Sequence, residues 1–242
     1  EALLHFDRSA GLADRTGEAW RQAAAAINLG EIYRRQGDLG RAIASYERAQ
    51  QIGEAFSFPE VTGMALMDLG ASYLKQGDFG PADECLAQSL AIFREIGTNV
   101  YLPEILRYQA ELRVQVGPPE EALSLAQQAV DWATRLERRL ELGQAYCVLG
   151  QAYGVLGQVG GMPEAAAQAE GAFRSSLSIL DEQDNPYESA LTQVALARFL
   201  GAQDGETSRA EARTACDRAV AVFDELGAVL DAARARELRA GL

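Results

Sequence analysis

The feature that most constrains this chain is a repeat of forty residues. Leu29-Gly30-x-x-Tyr33, followed by Gly37-Asp38, Ala42, Tyr46 and Ala49, returns as Leu69-Gly70-x-x-Tyr73, Gly77-Asp78, Ala82, Leu86 and Ser89. A fixed period of this length marks supersecondary units that bury their apolar faces on one another. A third unit keeps the step with Ala110, Gly117, Ala122, Ala126 and Ala129, although Gln109 and Arg113 replace large apolar residues. The fourth restores the pattern at Leu149-Gly150-x-x-Tyr153, and its second half slips by seven residues through Gly160-Gly161-Met162-Pro163 before resuming at Ala169, Phe173 and Ser176. The fifth is looser, with Leu196-Ala197 and then Ala212, Cys216 and Ala219.

Within each unit, apolar residues fall three and four apart on either side of a central break, which predicts two helices rather than strands. Gly37 and Gly77 suit the left-handed residue that ends a helix, and Asp38 and Asp78 are placed to cap the next one. In the third unit Gly117-Pro118-Pro119 performs the stop. Gly30, Gly70, Ala110, Gly150 and Ala197 on first helices are expected to face Ala42, Ala82, Ala122, Ala169 and Ala212 on second helices, where backbones approach closely. The predicted boundaries are a trailing half-repeat over 1–16, repeats over 17–56, 57–98, 99–137, 138–182 and 183–227, and a leading half-repeat over 228–242. At the first edge, Ala2, Phe6 and Ser9 occupy the register of Ala42, Tyr46 and Ala49, so the chain reads as one array cut from a longer protein.

A small residue after leucine, tyrosine three positions on, Gly-Asp, and then spaced alanines and an aromatic resemble the tetratricopeptide repeat. The residues that carry the resemblance are Gly30, Tyr33 and Ala42, Gly70, Tyr73 and Ala82, Ala110 and Ala122, Gly150, Tyr153 and Ala169, and finally Ala212. It implies an all-α fold, a right-handed α-solenoid of antiparallel helix pairs with about 11–12 helices. The forty-residue step exceeds the roughly 34 residues of the standard unit. Longer units of this kind are similar to those of bacterial signal-transduction ATPases of the maltose-activator type and of cell-polarity adaptors whose repeats hold peptides.

Composition narrows the chemistry. With 22 basic and 35 acidic side chains the net charge is -13, so the long-range field opposes nucleic acid and anionic membranes. Leu142 to Pro163 is uncharged, but six glycines and three glutamines make it a poor lipid-facing span, and no basic region followed by an apolar core, the pattern of a signal peptide, is visible in the first residues. A cytoplasmic protein is expected. Cys85, Cys147 and Cys216 lack any CxxC pairing, and His5 is the only histidine, so neither a disulfide framework nor a metal site is indicated. Cys216 falls on the core register of Tyr46 and Phe173. The glycines at 157–161 carry no Gly-Lys-Ser or Gly-Lys-Thr and read as an insertion loop. The chain is read as non-enzymatic, with no catalytic residue, cofactor or metal.

Function is expected on the concave face that first helices line. The register places Asn28, Glu31, Arg34 and Arg35 there, then Met67, Asp68, Ala71, Leu74 and Lys75, then Arg107, Tyr108 and Glu111, then Gln144, Cys147 and Gln151. Tyr108 takes the register place of Asn28 and Asp68, either as an exposed contact or partly buried. Arg34, Arg35, Lys75 and Arg107 suit carboxylates and Glu31, Asp68 and Glu111 suit cations, unless these charges pair with one another. Trp132 is expected to fill the core, and Trp20 to staple the first helix. The leading reading is a scaffold that binds a peptide segment or a helix of another protein in this groove. Alternatives are a ligand-sensing domain of a multidomain bacterial transcriptional regulator, and a module that self-associates through uncapped ends.

Overall fold

The computed structural model describes residues 18–160 and 163–242. Expectations for Ala2, His5, Phe6 and Ser9, and for the rest of the half-repeat over 1–16, lie outside the described residues. The described residues form eleven helices: α1 (Ala19–Gln36), α2 (Leu39–Ala55), α3 (Pro59–Gln76), α4 (Phe79–Glu95), α5 (Leu102–Val116), α6 (Pro119–Arg135), α7 (Arg139–Gly160), α8 (Pro163–Glu182), α9 (Pro186–Gly201), α10 (Glu206–Leu226) and α11 (Val229–Gly241). The fold is all-α and built from helix pairs. The chain divides into two compact units, the first ending at Tyr101 and the second beginning at Leu102.

In unit 1, α1 packs on α2 and α3 on α4, and both α2 and α1 touch α3. Gly37 and Gly77 adopt left-handed conformations at φ 83° and 95°, and their amides donate to the last carbonyls of α1 and α3. Asp38 then accepts from the Arg41 amide at 3.1 Å. Asp78 corrects the expectation of a matching cap, because its side chain makes no capping bond. Trp20 is likewise no staple: it is 61% exposed.

In unit 2, α5 packs on α6, α7 on α8 and α9 on α10, with α11 against α10. First helices α5, α7, α9 and α11 also touch one another in succession, whereas no second helix makes a comparable contact with the next. Closer spacing on the first-helix side makes that side concave within the unit. Gln109 and Arg113 interrupt the apolar pattern of α5 and stay only half-buried, and Arg113 is satisfied by Glu121 at 3.0 Å. Of the expected insertion loop, residues 157–160 are helical as the end of α7 and residues 161 and 162 lie outside the described residues; the two helices of the fourth unit run to 22 and 20 residues. Gly154 on this extension lies close under Phe199. Trp132 is half-buried beside the Arg135 guanidinium rather than sealed in the core, whereas Cys216 is fully buried as its register requires.

Ala42, Ala82, Ala122, Ala169 and Ala212 are all 0% exposed, so each leaves no room for a longer side chain. Three of their opposite numbers also lie under a large side chain. A Cβ on Gly30 would meet the Tyr46 ring at 2.5 Å, on Gly70 it would meet Leu86 at 2.7 Å, and on Gly150 it would meet Phe173 at 2.9 Å. The small first-helix residue therefore receives the large second-helix residue four positions past each alanine. A Cβ on Gly70 would also lie 3.3 Å from the Ala82 carbonyl.

Candidate functional site

In unit 1 the expected groove charges are largely consumed by local pairing. Glu31 accepts from Arg34 Nε at 3.1 Å and from Arg35 Nε at 2.6 Å, both from the same helix. Burial pushes the Glu31 carboxyl up, and Arg34 and Arg35 together outweigh that and hold it below the ordinary glutamate range. Lys75 donates to the Arg34 carbonyl at 3.3 Å, joining α3 to the end of α1. Asn28 is exposed and Asp68 is half-buried, whereas Met67, Ala71 and Leu74 are buried and line no groove. Their burial takes these three out of the accessible part of the inner face.

Unit 2 brings its expected residues together. A cavity of about 190 Å³ takes its wall from four first helices and one second helix: Arg107 and Glu111 on α5; Gln144, Cys147, Val148 and Gln151 on α7; Glu188, Leu191, Thr192, Val194, Ala195 and Arg198 on α9; Asp231 and Arg234 on α11; and Phe223 on α10. A second cavity of about 440 Å³ lies toward the C-terminal ends of α5, α7 and α9. Its walls are Val114, Gln115, Gln151, Gly154, Val155, Gln158, Phe173, Ala195, Arg198, Phe199 and Ala202. Gln151, Ala195 and Arg198 belong to both, so one groove has a charged compartment and an apolar one.

Arg107 is the most constrained cation in this wall. Its residue is 8% exposed, its guanidinium carbon lies 3.9 Å from the centre of the Tyr108 ring, and Glu111 approaches NH1 at only 3.7 Å. The buried Nε has no hydrogen-bond partner among the described residues. Burial opposes the charge, but Tyr108, Glu111, Glu188 and Glu104 outweigh burial and hold the group above the ordinary arginine range. Tyr108 itself is buried, which settles its two alternatives against exposure: it supports Arg107 from beneath and is absent from both cavity walls.

Cys147 faces the same compartment. Burial pushes its thiol up to about 11, and Glu111 and Glu188 add to this against opposing hydrogen bonds from Thr192 and Gln151. At pH 8 a thiol of that kind is about a thousandth ionised, and the thiolate is the nucleophile. Maleimide labelling of the native protein is therefore expected to modify half-buried Cys85 well before Cys147 or Cys216. Peptide mapping by mass spectrometry checks the order, and early modification of Cys147 would show that the α7 wall opens in solution.

Sequence reasoning placed Arg107, Glu111, Gln144 and Gln151 on this face but missed Glu188, Arg198, Asp231 and Arg234. Those four lie on α9 and α11, where the repeat signature is weakest. A register extended from Gln151 into the fifth unit, by the step from Gly150 to Ala197, would have reached Arg198 but not Glu188.

Paired helices stacked with their first members inward define an all-α helical repeat protein, and known structures bear this out. BtubC (BKLC) from P. vanneervenii superposes with a TM-score of 0.64 at 19% identity, over 93% of this chain and 91% of that one. A putative kinesin light chain of Podosopora anserina, with nearly identical TPR-like repeats, gives 0.53 at 19% identity over 84% and 95%. No curated protein sequence matches the chain. Residues 21–95 match the tetratricopeptide repeat family, and the chain shares the all-α helical repeat fold of these structures.

Proposed function

We propose that the protein is a non-catalytic scaffold whose unit 2 groove holds a peptide segment of a partner protein. The observation that carries this reading is the shared wall at Gln151, Ala195 and Arg198, which joins an apolar compartment to a charged one. Val155, Phe199 and Val114 offer burial for an apolar side chain, while the amides of Gln115, Gln151 and Gln158 both donate to and accept from a peptide backbone. The tetratricopeptide-type fold supports protein binding in general. Mixed wall charges, with a net charge of -13 overall, make a nucleic-acid backbone a poor occupant. None of the described helices is long and apolar enough to cross a membrane.

Selection from a displayed random-peptide library, followed by fluorescence polarisation with the enriched peptides, tests the groove. Val155→Arg places an unpaired charge in the apolar compartment and is expected to weaken those peptides by at least about tenfold, or about 1.4 kcal/mol, with circular dichroism unchanged. Peptides that bind the variant as tightly as the native protein would put the site elsewhere. The reading of a domain that senses a small ligand keeps one specific support: the charged compartment is compact and contains a buried, incompletely satisfied arginine.

A further inference from the structure

The α7–α8 hairpin of unit 2 ends in a tip that a bound peptide leaves unused. In the repeat register Gly150 answers to Ala110 and Ala197, and α7 runs ten residues past it, where α5 runs six past Ala110 and α9 four past Ala197. At 1.5 Å per residue, the end of α7 overhangs α5 by about 6 Å and α9 by about 9 Å. Val155 and Gln158 belong to the wall of the apolar compartment, and Val159, one turn past Val155 on the same helix face, is 75% exposed. An apolar projection and an apolar recess therefore lie side by side. Charge is sparse on both. In a chain with 24% charged residues, Glu164 is the one charge between Glu141 and Glu170, and Arg198 is the one charge in the compartment wall. Both positions are exposed, and neither side chain makes an ion pair among the described residues. Depletion of charge around an exposed apolar side chain is the composition of an interface core.

We propose that two copies of this chain associate through this edge about a two-fold axis, the Val159 projection of each entering the apolar compartment of the other and Glu164 of each pairing with the partner's Arg198. The occupant follows from charge complementarity: the projection bears a single negative charge and the recess a single positive one. A projection beside its own recess is self-complementary, so one two-fold rotation closes both contacts at once. One hairpin tip and one compartment make a contact at the low end of interface sizes, under about 1,200 Å² in total, which gives a concentration-dependent dimer rather than an obligate one. The net charge of -13 on each copy adds long-range repulsion in the same direction. The inference goes beyond the peptide reading, because a second copy and a peptide exclude one another from the compartment; association would then keep the groove closed until a peptide displaces the partner.

The test is sedimentation velocity of the full chain, from about 1 μM to about 500 μM at near-physiological salt. The native protein is expected to move from monomer toward dimer across that range. Val159→Asp carries an unpaired charge into the partner's compartment, and Arg198→Glu and Glu164→Arg each set like charges against one another. Each should weaken the dimer by at least about tenfold, and all three positions are exposed, so the melting temperature of the monomer should stay in place. Combining Arg198→Glu with Glu164→Arg restores opposite charges and is expected to recover most of the native affinity, a rescue that no loss of folding produces. A chain that stays monomeric over the whole range would overturn the dimer. So would a dimer indifferent to Val159→Asp, or a double variant no better than its two parents. The peptide reading is judged apart from this: a dimer with no peptide enriched by selection leaves association standing and removes the peptide, and peptides bound by a chain that never dimerises do the reverse.

Discussion

Phe173→Ala is expected to lower the stability of unit 2 by about 3–5 kcal/mol, the range for removing a large aromatic side chain from a packed core. Phe173 is 0% exposed, its ring centroid lies 5.7 Å from that of Phe199, and its ring fills the space over Gly150. Relaxation cannot easily close the hole. The opposite helix has no side chain at Gly150 to move inward, and α7 is held on both sides by α8 and α6. The same ring forms part of the apolar compartment, so its loss should also abolish binding of any peptide whose apolar side chain enters there. Urea denaturation followed by Trp132 fluorescence in a Trp20→Phe background reports unit 2 separately, because the two tryptophans lie in different units. A loss below about 1 kcal/mol would mean that the α7–α8 pair repacks and that Phe173 is no keystone.

How legible this structure was in the sequence depends on how the signal is carried. The helix pairs were readable because leucine, glycine and tyrosine recur at fixed spacing and because Gly37 and Gly77 mark their own left-handed stops. Turns between units were not. Ser57, Gly97, Glu137, Asp184 and Gly227 all adopt positive φ at equivalent places, yet only two are glycines, so composition hides a conformational repeat that the backbone keeps. A non-glycine residue there costs roughly 1–2 kcal/mol. The Phe58 and Thr98 amides, one residue past Ser57 and Gly97, return to carbonyls of the preceding helix at 2.8 and 3.1 Å and help hold the turn.

The groove was legible in its register and not in its chemistry. Position alone put Glu31, Arg34 and Arg35 on the inner face, but three charges spaced three and four apart on one helix find one another first. Arg107 shows the reverse case. Glu104 and Glu111 flank it on its own helix, yet the Glu111 pair is long at 3.7 Å and the buried Nε has no hydrogen-bond partner among the described residues. No spacing rule predicts which arginine will be saturated by its own helix and which will be left facing a cavity. That difference separates the spent charges of unit 1 from the usable ones of unit 2.

A double-mutant cycle at Gly30 and Tyr46 should give the clearest energetic signature of the repeat. Gly30→Ala puts a methyl group 2.5 Å from the Tyr46 ring, closer than van der Waals contact permits. The ring cannot swing aside, because Tyr46 is 0% exposed and packed with Ala42 and Leu69. Overpacking of this kind typically costs about 1–3 kcal/mol. Tyr46→Ala alone should cost about 3–5 kcal/mol by leaving a cavity over the bare glycine. In the double variant the new methyl group enters space that the ring has vacated, so the clash disappears and the cavity shrinks. The combined loss is therefore expected to fall short of the sum by about 0.5–3 kcal/mol, measured by urea denaturation and circular dichroism. Gly80→Ala is the control, since a Cβ there meets nothing within 4 Å and should stabilise α4 by up to about 1 kcal/mol. Strict additivity of Gly30→Ala and Tyr46→Ala would show that the glycine is kept for some reason other than the ring above it.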